Sequence, residues 1–160
     1  MNQNNVTRYL NARKILYEQF EIPGGKIGAQ ETAKFLNVAE DSVFKTIVLK
    51  PVNPGKPILA VIPSNRIADI KKIAKILNEK KIEFPKPQEA EEITGLQTGG
   101  ISALALINKG FRILLDETAN SLDWIHVSGG QIDLNIKIKV ADFVRLTHAK
   151  IAIISLKNNA

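Results

Sequence analysis

VFKTIVLK at residues 43–50 and ILAVIP at residues 58–63 restrict the fold more than any other stretch of the chain. Each is a short apolar run bounded by turn formers, the pattern of a strand covered on both faces. The seven-residue connection PVNPGKP carries three prolines and a glycine, so the pair reads as a hairpin. One residue breaks the first run. In strand geometry Lys45 shares a face with Val43, Ile47 and Leu49, while Phe44, Thr46 and Val48 occupy the other. Two readings are open for it. Lys45 can sit at the fraying start of the strand and snorkel to water. Alternatively it lines a pocket, rigid and partly desolvated, where it binds negative charge. Desolvation would lower its pKa, and a bound phosphate would oppose that.

The flanking segments predict a layered α/β (α+β) fold. Val6, Leu10, Ile15 and Leu16 have loosely helical spacing and predict a helix over residues 6–18. IPGGKIG, residues 22–28, breaks regular structure. AQETAKFLNV predicts a short helix burying Ala33, Phe35 and Leu36. ADIKKIAKILN is amphipathic, with Ile70, Ile73, Ala74 and Leu77 inward and Lys71, Lys72 and Lys75 outward. IEF reads as a short strand, and PQEAEEITG as a helix opened by Pro87 and stopped at Gly95. ISALALI, FRILLDE, WIHV, LNIKIKV and KIAIIS read as strands. In LNIKIKV, Leu134, Ile136, Ile138 and Val140 face one way, and Asn135, Lys137 and Lys139 the other. The predicted architecture is a single domain over residues 1–160: a curved, mixed, largely antiparallel sheet with helices packed against it.

Several chemistries drop out by composition. The chain has 160 residues and no cysteine, which removes thiol nucleophiles, disulfides and cysteine-ligated metals. No apolar run approaches the roughly 18 residues that span a bilayer, and the N-terminus lacks a signal-peptide core. A cytoplasmic location is the default, with no membrane partner. There is no HExxH, no GxSxG, no P-loop and no dinucleotide fingerprint. No metal and no cofactor are therefore expected. Of the two histidines, His126 reads as a surface or satisfied strand residue rather than a base. The net charge of +6 favours phosphate-rich partners.

Two glycine pairs remain, TGGIS at residues 98–102 and VSGGQ at residues 127–131. Adjacent glycines allow positive φ and close approach of a ligand, and such loops can aim N–H groups at a developing negative oxygen. Two tight turns are the plain alternative.

Taken in order, VFKTIVL, KKIAKIL, ITGLQTGGISAL and IHVSGGQIDLNI resemble the YbaK/ProX aminoacyl-tRNA deacylases, a family similar to the editing domain of bacterial-type prolyl-tRNA synthetases. The resemblance covers residues 16–153. It implies hydrolysis of the ester joining an amino acid to the 3′ end of a mischarged tRNA. It implies tRNA as partner, possible docking beside a synthetase, and a monomer by default. The family's lysine matches Lys45, followed by Thr46, and would hold the terminal adenosine's phosphate. Gly100 would turn its N–H to the carbonyl oxygen, with Gly99 and Ile101 beside it. Ser128, Gly129 and Gly130 would line the aminoacyl pocket, Phe20 would supply its aromatic, and Gly28 would form the opposing wall. Asn135 stands where many relatives carry an aspartate, Phe20 where many carry tyrosine, and Ala103 where proline is frequent. These departures bear on acyl specificity. A catalytically weakened RNA-binding module of the same fold is the alternative expectation, and a pocket for an amino acid or its adenylate is a third.

Overall fold

All six residues of ILAVIP are buried, and the reason is topological. In the computed structural model, which describes residues 3–23 and 27–158, this segment is β3 (Ile58–Pro63), the middle strand of a five-stranded sheet. On one side it pairs antiparallel with β2 (Phe44–Pro51), as the hairpin reading requires. On the other it runs parallel to β6 (Arg112–Asp116), which in turn runs parallel to β9 (Lys150–Ala152). The far end of β2, at Lys50 and Pro51, also pairs with β5 (Ile82–Glu83). A second, antiparallel sheet is ordered β1 (Tyr17–Glu21), β8 (Leu134–Lys139), β7 (Trp124–Ser128). A two-stranded ribbon joins β4 (Arg66–Ala68) to β10 (Ser155–Lys157). The helices are α1 (Asn5–Ala12), α2 (Ala29–Leu36), α3 (Ile70–Ile76), α4 (Pro87–Thr94) and α5 (Val140–Thr147). Five of these seven strand pairings are antiparallel and two are parallel, and both parallel ones lie in the five-stranded sheet.

Both faces of β2 and β3 are covered. Phe44, Val48, Leu59 and Val61 join a core with Ile125, Val127, Ile136 and Ile138 of the three-stranded sheet and Phe143 of α5. Leu49, Ile58, Ala60 and Ile62 pack on the other side with Ile73 and Ala74 of α3. Burial of each of the larger of these side chains, the valines, leucines, isoleucines and phenylalanines, is worth about 1.5–3 kcal/mol, which is why the hairpin dominates the architecture.

Four expectations need correction. The helix predicted over residues 6–18 ends at Ala12, because Lys14 takes a positive φ of 56° and the chain re-enters as β1. Pairing of Tyr17–Glu21 with β8 outweighs the local helical spacing. Phe35 is 52% exposed; α2 buries Ala33 as expected, together with Thr32. ISALALI is not a strand: residues 104–106 form a 3-10 turn whose Leu104 and Leu106 enter the core. KIAIIS divides into β9 and β10, which belong to different sheets. The segment after β8, which received no assignment from sequence, is α5, with Val140, Phe143, Leu146 and Thr147 buried at helical intervals. Part of IPGGKIG, residues 24–26, lies outside the described residues.

The two larger sheets meet at a parallel bridge between Val43 and His126. Between that bridge and the β5 pairing at Lys50, the outer edge of β2 has no strand partner among the described residues. Such an edge presents unpaired backbone groups. Here it borders a cavity.

Candidate active site

The cavity has a volume of about 230 Å³. Val43 to Thr46 form one wall, Thr98, Gly99 and Ile101 another, and Ser128, Leu134 and Asn135 the end of the three-stranded sheet. Gly28, Ala29 and Thr32 close it from the start of α2, with Ile22, Ile27 and Ile132 completing the apolar lining.

Lys45 lines this space and is half-buried. Its Nζ donates to the Ser64 carbonyl at 3.2 Å. Ser64 is itself fixed, its N–H donating to the Val43 carbonyl at 2.7 Å and its hydroxyl to the Glu40 carbonyl at 2.6 Å. An ammonium has three donors, and this bond uses one. No carboxylate lies within ion-pair distance of Lys45 among the described residues. Burial pushes its pKa down. A half-buried cation without a counter-charge is poised to take up an anion.

The two glycine loops are built against each other. Ser102 Oγ donates to the Ser128 carbonyl at 2.7 Å and accepts the Ala105 N–H at 3.3 Å. A Cβ on Gly100 would lie 2.9–3.0 Å from the backbone of Gln131 and Ile132, so only glycine lets the loops touch. Gly99 and Gly130 both hold φ near +94°, a region that other residues adopt at a cost. Asn4, the N-cap of α1, braces the second loop by donating to the Gly129 carbonyl at 2.8 Å and to Gln131 Oε1 at 3.1 Å. Thr98 N–H donates to Glu91 Oε2 of α4 at 2.7 Å, tying down the first.

At the sheet end of the cavity Asn135 is only 5% exposed. It is paired across the sheet with Phe20 on one side and Ser128 on the other. Its Oδ1 lies 2.8 Å from His126 Nδ1, and the Phe20 ring leans on the same imidazole at a centroid separation of 5.6 Å. Burial lowers the His126 pKa, against the opposing effect of the Asn135 hydrogen bond. His126 is therefore a buried, satisfied strand residue.

Of the residues singled out from sequence, Lys45, Thr46, Gly28, Gly99, Ile101, Ser128 and Asn135 line the cavity. Gly100, Gly129, Gly130 and Phe20 do not. The Gly100 N–H is committed to the Gln97 carbonyl at 2.8 Å, so it does not face the cavity as a donor. The Gly129 N–H is committed to the Leu134 carbonyl at 2.9 Å, and the Gly130 N–H to Ser128 Oγ at 3.2 Å. These glycines shape the walls rather than form them. Gly99 and Ile101 line the cavity, and their N–H groups have no protein acceptor among the described residues. Sequence reasoning did not single out Thr32, which lay within a segment read only as a helix, and took Thr98 only as the start of TGGIS; the contact of His126 with Asn135 depends on strand register.

An apolar cavity holding one uncompensated cation and unclaimed backbone N–H groups, beside an open strand edge, suits an anionic ligand with a polarised carbonyl. The family model described as "Aminoacyl-tRNA editing domain" matches residues 26–146, and the chain belongs to that family. It is 31% identical over 157 residues, 97% of this chain and 94% of the relative, to a protein of Enterococcus faecalis provisionally named Cys-tRNA(Pro)/Cys-tRNA(Cys) deacylase EbsC. A proline–tRNA ligase of Maridesulfovibrio salexigens is 29% identical over 117 residues, 72% of this chain but 19% of the ligase. The fold is shared with a solved structure provisionally described as a trans-editing enzyme for prolyl-tRNA synthetase, at a TM-score of 0.80 and 19% identity, covering 99% of this chain and all of that one. The activity that goes with membership is aminoacyl-tRNA deacylation, the hydrolysis of an ester on the tRNA 3′ end.

Proposed function

We propose that the protein removes small amino acids from mischarged tRNA in trans, in the cytoplasm, with Lys45 as the anchor of the substrate's 3′ end. The observation that carries this reading is the half-buried Lys45 ammonium, held by Ser64 and facing no carboxylate among the described residues. A phosphate of the terminal nucleotide would supply the missing charge and fix the ester beside the glycine loop. Water, or a hydroxyl of the substrate itself, then attacks the acyl carbon. The N–H groups of Gly99 and Ile101 are the donors open to the developing oxyanion, the part that the family resemblance implied for Gly100. Positioning and fixed donors can accelerate cleavage of an already reactive ester without an acid–base side chain.

The volume sets the acyl range. At about 230 Å³ the cavity is below the range of about 300–1,000 Å³ usual for drug-sized ligands. It suits an alanyl, cysteinyl or seryl group with the edge of its ribose, leaving the rest of the nucleotide outside. A synthetase docked alongside is compatible with the likeness to the proline–tRNA ligase.

The test is single-turnover deacylation of alanyl- and cysteinyl-tRNA(Pro) and of seryl-tRNA by the wild type and Lys45→Ala. We expect turnover of at least one, and loss of about 10²–10³-fold in Lys45→Ala, the scale for removing one electrostatic stabiliser. Salt-sensitive tRNA binding without turnover on any of the three would instead support the RNA-binding alternative.

A further inference from the structure

We propose that this cavity hydrolyses tRNA esters of uncharged α-hydroxy acids as well as it hydrolyses the matching aminoacyl esters. The inference rests on the editing reading above and concerns what the pocket demands of the substrate's α-position. An α-ammonium is a cation with three donors and no acceptor, so a site that selects it needs a carboxylate or several free acceptors. No carboxylate lines the cavity among the described residues, and its one charged lining residue is Lys45, of the wrong sign.

Asn135 is the polar side chain placed to read this position, and its oxygen is engaged. Oδ1 cannot donate, so the 2.8 Å contact means that His126 Nδ1 carries the proton. The Asn135 amide nitrogen has no protein acceptor among the described residues, so the side chain brings a spare donor to the cavity wall. A donor suits an α-hydroxyl, which accepts as well as donates, and gives an ammonium nothing. The remaining polar side chains, Thr32, Thr46, Thr98 and Ser128, are neutral hydroxyls, which can accept from an ammonium but bring it no counter-charge. Desolvating an ammonium against these groups is costly, and an uncharged substituent avoids the cost.

The reaction balances as ordinary ester hydrolysis. Water adds to the acyl carbon, the bond from that carbon to the ribose oxygen breaks, and the ribose oxygen leaves with a proton. The products are the free α-hydroxy acid and deacylated tRNA.

Alanyl-tRNA and the lactyl-tRNA made from it by deamination are nearly isosteric and differ only at the α-substituent, an ammonium in one and a hydroxyl in the other. Rates are divided by each ester's uncatalysed hydrolysis. We expect the two normalised kcat/KM values to agree within about threefold at neutral pH. We also expect the alanyl value to climb as its α-ammonium loses its proton, toward the usual α-amino range of about 7.7–8.0, while the lactyl value stays level. Asn135→Asp, its folding checked by thermal melting, should move the preference at least tenfold toward alanyl-tRNA. Alanyl turnover with lactyl-tRNA more than tenfold slower overturns the inference and leaves the editing reading standing. An unchanged preference in Asn135→Asp removes the role given to that residue. No turnover of either ester overturns both the inference and the reading beneath it.

Discussion

If Lys45 anchors the substrate as proposed, this position trades stability for function. Its pKa is lowered by burial, so the charged form is less favourable in the folded chain than in the unfolded one. The sign follows: this group's penalty is present at neutral pH and is relieved as pH rises through the folded pKa toward the ordinary lysine value. Lys45→Met, which keeps the stem and removes the charge, should therefore leave the thermal midpoint at pH 7 unchanged or higher while deacylation is lost. A fall in the midpoint of several degrees would mean that the ammonium is structural. The same shift predicts a pH profile. Activity that needs the cation should decline on the alkaline side at a lower pH than an ordinary lysine would impose. Bound phosphate favours the charged amine, so the limb for kcat should lie at higher pH than the limb for kcat/KM. Profiles corrected for uncatalysed ester loss would check this. Coincident limbs would argue against phosphate binding at Lys45.

At the scale of elements the site depends on two loops that reach it from different parts of the fold, held by α1, α4 and a serine pair. Gly100→Ala sets a methyl group against the Gln131 backbone, which cannot swing aside. Overpacking of this kind costs about 1–3 kcal/mol. Chemical denaturation should show that loss, together with a drop in kcat, because separating the loops moves Gly99 and Ile101. Asn4→Ala removes both the cap on Thr7 N–H and the brace on Gly129, and should cost about 0.5–2 kcal/mol. Loop geometry is also where the sequence was hardest to read. The β2–β3 hairpin and α3 were legible, since covered strands and amphipathic helices print their period on the chain. ISALALI carries no period: Leu104 and Leu106 are apolar because a 3-10 turn is buried, which a short apolar run cannot distinguish from a strand. Lys45 stood out as a charge in an apolar strand, and Thr46, Gly28, Gly99, Ile101, Ser128 and Asn135 were placed by the family resemblance. Whether Gly100 offers its N–H depends on one turn bond to Gln97, and the orientation of Asn135 depends on its register opposite Ser128, which sets its side chain diagonally against His126. Neither leaves a trace in the order of residues.

For the whole molecule the question is how a small cavity serves a large polyanion. The excess charge of +6 is not spread evenly. Lys71, Lys75, Lys80 and Lys81 border one groove beside α3 and β5, with Ile70, Ala74 and Ile82 between them and one carboxylate, Glu79, which is ion-paired with Arg112. α3 carries exposed lysines on its outer side because Ile73 and Ala74 take the inner one. If this groove meets the acceptor stem, replacing the four lysines by glutamine should raise KM for aminoacyl-tRNA and leave kcat near the wild-type value. The slope of log KM against log salt should become shallower by about 0.7–0.9 for each phosphate that the variant no longer neutralises. A 3′-aminoacylated nucleotide too short to reach the groove supplies the control. Its hydrolysis should be unchanged in the quadruple variant, whereas Lys45→Ala should impair both substrates. Equal loss on the tRNA and on the short ester would mean that these lysines act through the general field of the protein, and the groove would then have no specific claim on the stem.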